Sequence, residues 1–596
     1  MAKKFIDVMD TTFRDGFQSV FGGRVLMDDF FPAVAAAKEA GITHFEFGGG
    51  ARFQSLFFYL NENAFDMMDR FREIVGPEAN LQTLARGVNT VMLDTGSSEL
   101  IDLHAKMFKK HGTTTIRNFD ALNDVENLKY SAECIVKHGL KHEAVVTMMD
   151  LPPGCEGAHD VAFYEKTLRE ILDSGIPFDS ICFKDASGTS SPKKVHETIK
   201  MARKLVGKDV HLRLHTHETA GVSVACYLAA LEADVDGIDM AASPVSGGTS
   251  QPDILTMLHA TKGMNFNLGN LELEKILRYE EVLADCLSDY FMPPEATMVS
   301  PLIPFSPMPG GALTANTQMM RDNNILDRYP EVIAAMREVV ERGGYGTSVT
   351  PVSQFYFQQA LNNVMQGPWK AIAPGYGKMV LGYFGKTPVA PDPEIVKIAS
   401  EKLGLEPTTK KVLELTDADE TKSLKYWEDK LSAEGIETSE ENIFIAAACG
   451  DKGIAFLKGE AEVNVRKLST MEDDCKGEKM GAGTYTVVVD GQKFSVQVAE
   501  GDADIQVTAV DGESISAGSV PPVASDGEEI KAALPGSVWK IVADPGQSVK
   551  EGDKILILES MKMEIDIIAP RDGVVQSINV SVNDKVVEGQ VVAVLG

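Results

Sequence analysis

No stretch of this 596-residue chain strings together the roughly 18 to 20 apolar residues that a membrane-crossing helix needs. Cysteine is scarce. The seven residues Cys134, Cys155, Cys182, Cys226, Cys286, Cys449 and Cys475 are scattered, and no two stand at Cys-x-x-Cys spacing. That excludes a disulfide framework and a zinc ribbon, and a reducing cytoplasm is the expected location. The opening residues, Met1 to Asp7, run into an acidic strand-like segment without the apolar core of a signal peptide. Positive charge is in deficit: Lys and Arg number 57 against 87 Asp and Glu, a formal net charge of −30. Such a chain repels phosphate backbones and anionic lipid, so no nucleic-acid or membrane-surface partner is expected. A Gly-x-x-x-x-Gly-Lys-Ser/Thr phosphate loop is also missing.

What is present is an ordinary globular composition, 44% hydrophobic and 24% charged, which excludes a disordered, fibrous or collagen-like chain. The length exceeds one core, so two to four domains are expected. Residues 1–300 alternate short apolar runs with helix-length amphipathic stretches. Eight strands are expected, at Phe5–Asp10, Thr43–Gly48, Asn80–Arg86, Thr113–Phe119, Ala144–Met149, Ser180–Asp185, His211–His217 and Gly237–Ala242. Their starts lie 26 to 38 residues apart, about one strand, one helix and two loops. Eight such units predict an α/β fold, a (β/α)8 TIM barrel. An open doubly wound sheet is the rival, but it does not favour eight.

Residues 301–460 lose the strand pattern. Val332–Val340 and Pro393–Leu403 carry apolar residues at helical spacing, which predicts a helical extension packed on the barrel and completing its active site. From Glu406 to Glu441 strong charge predicts solvated helix and loop. Residues 461–510 form a small β-rich connection, with Asp490-Gly491 between alternating runs as a hairpin signal. Residues 511–533, rich in Gly, Ser, Pro, Asp and Glu, predict a flexible linker of about 23 residues with an r.m.s. reach of about 25 to 30 Å.

Residues 534–596 contain an internal repeat. Gly536-Ser-Val-Trp-Lys-Ile aligns with Gly573-Val-Val-Gln-Ser-Ile at an offset of 37. Val549-Lys-Glu-Gly-Asp aligns with Val586-Val-Glu-Gly-Gln at the same offset. Two similar β half-units predict a small all-β, pseudo-symmetric domain. Between the halves lies Glu559-Ser-Met-Lys-Met-Glu564, so Lys562 falls where one half turns into the other. This tail resembles the biotin carboxyl carrier and lipoyl domains, whose modified lysine occupies that turn. Met561-Lys562-Met563 matches the biotin version, and the resemblance implies covalent biotin on Lys562, attached by a biotin protein ligase.

The barrel carries candidate metal ligands. The first strand leads into Asp10-Thr-Thr-Phe-Arg-Asp-Gly-Phe-Gln18, and the seventh contains His215-Thr-His217. Residues i and i+2 of a strand face one side, so both imidazoles can bind one divalent ion. Asp15 lies just past the first strand, on the rim where barrel enzymes keep their active sites. A His-x-His pair alone would more simply be packed core; the Asp-Thr-Thr-Phe-Arg-Asp start on the same rim reverses that preference.

The combination resembles two groups. One is the aldolase-type metal-dependent lyases and synthases, which share the Arg-Asp-Gly start and His-x-His. The other is the biotin-dependent pyruvate and oxaloacetate carboxyltransferases, in which a lysine ending the sixth strand is carbamylated and becomes a metal ligand. Ile181-Cys-Phe-Lys184-Asp-Ala-Ser-Gly matches that feature, and the biotin-type tail points the same way. Leu84-Ala-Arg86-Gly87 resembles the family's substrate-arginine motif. Ser243-Pro-Val-Ser-Gly-Gly-Thr-Ser-Gln-Pro252 resembles its loop after the last strand. Met308-Pro-Gly-Gly-Ala-Leu-Thr314 resembles the segment whose threonine relays a proton. Gly48 to Gly50 also match, with tight barrel packing an equal explanation. Two positions depart from the pattern near the biotin pocket: Leu93 replaces a frequent tyrosine and Gln54 a frequent aspartate. These changes also fit a variant 2-oxo acid.

The resemblance implies a metal site of Asp15, carbamylated Lys184, His215 and His217, holding Zn²⁺, with Mn²⁺ or Co²⁺ as alternatives. It implies that Arg86, Gln18 and Arg14 hold the substrate carboxylate and developing enolate. Thr314 is the implied proton relay; capping of the helix suggested by Ala315 to Met320 is the rival role. The implied reaction moves a carboxyl group between carboxybiotin and pyruvate/oxaloacetate. The chain then corresponds to the B subunit of a two-subunit pyruvate carboxylase, itself expected to be a homo-oligomer. It would need a separate ATP-dependent biotin carboxylase partner, since no region is sized for one. The α subunit of a sodium-pumping oxaloacetate decarboxylase, working with membrane decarboxylase subunits, is an alternative. A carboxylase of another 2-oxo acid such as 2-oxoglutarate is another, and a non-biotin lyase or synthase is more distant.

Overall fold

Eight parallel strands close on themselves: β1 Lys4–Asp10, β2 His44–Gly49, β3 Asn80–Ala85, β4 Thr115–Asn118, β5 Lys141–Thr147, β6 Ser180–Asp185, β7 His211–Thr216 and β8 Gly237–Met240. β1 pairs with both β2 and β8, which completes the barrel. A short strand not expected from the sequence, β9 Phe266–Leu268, adds to β1 outside the ring. The structure is a computed structural model and describes residues 3–470, 483–489, 492–498, 527–532, 536–560, 563–582, 584–587 and 589–596. Among these, no helix is long and apolar enough to cross a membrane.

The strands form where the sequence places buried apolar runs, and amphipathic helices such as Ala64–Val75, Ser98–Lys110 and Val161–Asp173 cover them. Caps fix several helix starts: Asn63, Ser97, Asp160 and Ser191 each accept a backbone N–H of the first turn. The barrel interior is unusual. Barrel cores are commonly filled by branched apolar side chains; here Glu46, Arg117, Glu143, Arg213, His215 and Asp239 are all buried. Buried charges require partners, and these supply them to one another. Arg117 Nε lies 2.5 Å from Glu143 Oε1, and Arg213 Nη1 lies 2.9 Å from Asp239 Oδ1.

The helical extension includes Gly310–Asp322, Tyr329–Arg342, Val352–Gln366 and Pro393–Leu403. Its core, with Met308, Leu313, Met336, Phe355 and Tyr356, is continuous with Leu84, Phe119 and Cys182 of the barrel. Gly310 permits this docking, since a Cβ there would stand 1.7 Å from the Thr249 carbonyl oxygen. The charged stretch 406–441 contains the helices Val412–Asp417 and Leu424–Ala433.

Strands Gly483–Val489 and Gln492–Val498 pair antiparallel from Gly483↔Val498 to Val489↔Gln492; the Asp490-Gly491 connection lies outside the described residues. The C-terminal unit has two four-stranded sheets around Val538, Ile555, Leu558, Val575, Val592 and Leu595. The 37-residue offset reappears as exchanged strands. Gly536–Ile541 shares a sheet with Lys585–Val586, while its repeat Gly573–Ile578 shares the other with Ser548–Val549. One strand, Glu528–Lys531, falls inside the stretch expected to be linker and pairs with Val591–Leu595. Its Ile530 is buried in the sheet core, a single apolar side chain that the surrounding polar composition masks. The remainder of residues 511–526 lies outside the described residues.

Candidate metal and substrate site

β1 ends at Asp10, and the chain then makes a tight π-helical turn over Thr12–Gly16. Phe13 anchors the turn outward. Its ring lies 5.8 Å from Phe17 and 5.6 Å from Phe71; burial of such a ring contributes about 1.5 to 3 kcal/mol. Asp10 Oδ1 accepts from the Thr12 N–H at 2.9 Å, and Tyr279 donates to Asp10 Oδ2 at 2.8 Å. With the apolar side fixed, Arg14 and Asp15 face the barrel mouth. Gln18 follows one helical turn later, on Phe17–Phe21.

Asp15, His215 and His217 converge. His215 Nε2 lies 3.2 Å from Asp15 Oδ2 and 3.1 Å from His217 Nε2; His217 Nε2 lies 3.3 Å from Asp15 Oδ2. His217 sits one residue past the end of β7. β6 places Lys184 in register with His215, and its Nζ stands 2.7 Å from His215 Nε2 and 3.6 Å from Asp15 Oδ2. Among the described residues these are the groups that could hold a metal ion: one carboxylate and two imidazoles, all buried. The donor set fits a borderline divalent cation. The other ring nitrogens are already committed, His215 Nδ1 to Asp239 Oδ2 at 2.8 Å and His217 Nδ1 to the Thr249 carbonyl at 2.7 Å. Both Nε2 lone pairs are therefore directed at the shared centre, the arrangement metal-binding histidines use. Gln251 Nε2 approaches the same centre, 3.0 Å from His217 Nε2 and 3.2 Å from Asp15 Oδ2.

Charge tunes these groups. Burial alone would raise the Asp15 carboxyl, but Arg14, Lys184 and His217 hold it well below the usual carboxylate range. Burial lowers the His215 imidazole, with Lys184 adding to the effect. Burial also lowers the Lys184 ammonium, against the opposing pull of Asp15.

One cavity is lined by Arg14, Asp15, Gln18, Arg86, Lys184 and His217, with Gly311 and Ala312 from the helical extension. Arg86 lies one residue past β3, and its Nη1 donates to the carbonyls of Val91 and Met92 at 2.8 and 3.0 Å. Its Nε has no hydrogen-bond partner among the described residues. Burial, with Arg14 beside it, pulls the Arg86 guanidinium down to about 9. An anion entering the cavity would relieve both effects. Arg14 is aimed by Glu46, whose Oε2 accepts from Arg14 Nε at 2.8 Å, and its Nη2 lies 3.1 Å from Asp15 Oδ2.

Thr314 is placed differently from the others. Its helix begins at Gly310, so it is an interior residue and not a cap. It is fully buried, and its hydroxyl donates to the Ser19 carbonyl at 2.6 Å. It thus ties the extension to the segment bearing Gln18 and does not itself line the cavity. Gln54 Nε2 donates to the Ala448 carbonyl at 2.7 Å, and the Leu93 carbonyl accepts from Asn89 Nδ2 at 3.2 Å. Lys562 lies outside the described residues, between strands Lys554–Ser560 and Met563–Ile568, which neighbour each other in one sheet. Sequence reasoning misses Asp239 and Glu46 at the site, and it includes Thr249 and Gln251 in the Ser243–Pro252 loop without giving them a role. For the two acids the available signal is a lone charge inside an apolar strand, as in His44-Phe-Glu-Phe and Gly237-Ile-Asp-Met.

Comparison with known proteins adds two family models and a set of relatives. Residues 303–498 match a conserved carboxylase domain, and residues 522–595 match the biotin-requiring enzyme model. The pyruvate carboxylase B subunit of Methanocaldococcus jannaschii is 29% identical over 562 residues, covering 94% of each chain. The 2-oxoglutarate carboxylase large subunit of Hydrogenobacter thermophilus is 29% identical, covering 95% of this chain and 91% of its own. The carboxyl transferase domain of Rhizobium etli pyruvate carboxylase, solved with pyruvate, superposes with a TM-score of 0.70 at 24% identity, covering 77% of each chain, a likeness of fold. The barrel, the two matched domains and relatives that span nearly the whole length agree: the chain is an enzyme of the biotin-dependent carboxyltransferase family.

Proposed function

We propose that this chain is the B subunit of a two-subunit pyruvate carboxylase, moving a carboxyl group between biotin on Lys562 and pyruvate/oxaloacetate. The observation that carries this reading is the convergence of Asp15, His215 and His217 with Arg14, Gln18 and Arg86 around one cavity. A separate ATP-dependent biotin carboxylase loads the carrier, and a biotin protein ligase attaches the biotin. The chain works in the cytoplasm as a homo-oligomer, with Zn²⁺ as its metal.

Asp15, His215 and His217 would hold the ion, and Lys184 would join them once carbamylated. In that step the neutral Lys184 amine attacks the carbon of CO2, an N–C bond forms, and one proton leaves to solvent. The buried position of Lys184 favours the neutral amine this requires. When bound, the ion supplies Lewis-acid polarisation of the substrate carbonyl, and biotin supplies the carried carboxyl group. Arg86 receives the substrate carboxylate through the donors left free by its contacts with Val91 and Met92. Arg14, fixed by Glu46, and Gln18 flank the oxygen on which negative charge develops. The relatives name two acceptors, pyruvate and 2-oxoglutarate. The purified chain, given carboxylated biotin, is expected to carboxylate pyruvate in preference to 2-oxoglutarate; a reversed preference would replace pyruvate in this reading.

Thr314 is the proposed proton relay, its hydroxyl exchanging the Ser19 carbonyl for the reacting groups during turnover. Loss of a proton-transfer group costs about 10²- to 10⁴-fold in rate, whereas loss of one buried hydrogen bond costs about 1 kcal/mol in stability. Thr314→Ala is expected to lose biotin-dependent oxaloacetate decarboxylation by that rate factor, and Thr314→Ser to recover most of it. A Thr314→Ala enzyme slowed less than about tenfold but melting at lower temperature assigns the residue to the Ser19 tether alone.

A further inference from the structure

We infer that Asp239 is a positioning residue of the metal site, clamped by two buried arginines so that it fixes the ring of His215. The inference rests on the metal reading above and extends it beyond the ligands.

Asp239 lies on β8 and is fully buried. Its Oδ2 lies 2.8 Å from His215 Nδ1 and 2.6 Å from Arg117 Nη1, and its Oδ1 lies 2.9 Å from Arg213 Nη1. Its backbone carbonyl accepts from the Tyr227 hydroxyl. Both carboxylate oxygens are therefore held by a guanidinium before the imidazole is considered. An ionised carboxylate only accepts. Arg117 Nη1, a donor, also lies 3.3 Å from His215 Nδ1, but the carboxylate is nearer at 2.8 Å and favours the proton on Nδ1, which leaves the Nε2 lone pair toward Asp15 and His217. Arg117 is itself held by Glu143, and Arg213 by Asp7, so the clamp is built into the strands of the barrel wall.

A plainer role is available to Asp239: neutralising two buried arginines. Glu143 provides the control for it. Glu143 meets the same two arginines, Arg117 Nε at 2.5 Å and Arg213 Nε at 3.5 Å, but makes no bond to His215. Asp239→Asn keeps the shape but can present its amide N–H to His215 Nδ1, which favours the wrong tautomer. Glu143→Gln removes equivalent charge and leaves the tautomer alone.

Zinc affinity of the full-length protein, titrated against a competing chelator, separates the two roles. Asp239→Asn is expected to weaken zinc about 10- to 100-fold, with Glu143→Gln close to wild type even where the two variants lose similar melting temperature. Equal zinc losses in both variants, tracking their melting temperatures, would overturn the inference. A second measurement needs no variant. In ¹⁵N-histidine-labelled wild-type protein, His215 should show a protonated Nδ1 and a zinc-bound Nε2; a zinc-bound Nδ1 sinks the proposal. The double variant His215→Ala, His217→Ala marks the underlying reading. Zinc retained there removes the metal site itself, whereas zinc lost there but held normally by Asp239→Asn removes only the role of Asp239.

Discussion

Protein carrying both His215→Ala and His217→Ala is expected to purify without stoichiometric divalent metal and to lose carboxyl transfer by about 10³-fold or more. Lewis-acid stabilisation is worth several kcal/mol, and each 1.36 kcal/mol is about tenfold in rate. The two imidazoles supply two of the three convergent ligand atoms of the unmodified chain. The remaining carboxylate of Asp15 is already engaged by Arg14 at 3.1 Å and by Gln251 at 3.2 Å. Even with the Lys184 carbamate beside it, that leaves two of the four proposed ligands, too few to complete a tetrahedral site. The fold should survive, because Asp239 keeps Arg117 and Arg213, and Thr249 loses only one acceptor contact. Elemental analysis showing full occupancy in the double variant would place the metal elsewhere. The same site predicts a direction with pH. Metal binding needs neutral imidazole and ionised carboxylate. The low His215 and Asp15 values keep both forms at neutral pH, and metal is released on acidification, as protons return to the ligands.

Much of this is legible in the residues. The eight barrel strands follow from apolar runs at a regular interval, and each lies within a few residues of its expected place. Asp15, Lys184, His215, His217, Arg14, Gln18 and Arg86 carry motif context, and the barrel brings them together. The missed features have a common cause. Whether Glu46, Arg117, Glu143 or Asp239 points inward depends on strand register in a closed ring, which one strand does not reveal. A lone charge in a strand is ordinarily a solvated one. β9 is only three residues long, and Glu528–Lys531 has one buried apolar side chain; neither produces a periodic signal. Thr314 is the instructive position. The segment Met308 to Thr314 stands out as a motif, but where its hydroxyl points depends on Gly310 letting the helix start early and close against Thr249.

Lys562→Arg is expected to abolish carboxyl transfer to or from the carrier while leaving the barrel intact. Gly536–Ile541 and Gly573–Ile578 repeat at an offset of 37, as do Ser548–Val549 and Lys585–Val586. Lys562 falls between neighbouring strands at the junction of the halves. No other lysine of residues 534–596 has that place: Lys540 and Lys554 lie within strands, and Lys550 and Lys585 belong to corresponding stretches of the two halves. Arginine keeps the positive charge, so the fold and solubility of the domain should not change. Its guanidinium stays protonated and offers no free amine for amide formation. Intact-mass measurement should therefore show wild-type protein with one biotin and the variant with none. Zinc content should be equal in the two, since the ligands lie in the barrel. Carboxyl transfer with free biotin should also persist in the variant, because Arg14, Gln18, Arg86 and the ligands are untouched. A biotin adduct on Lys562→Arg protein would move the modification to another lysine, and loss of the free-biotin reaction together with zinc would show damage beyond the carrier.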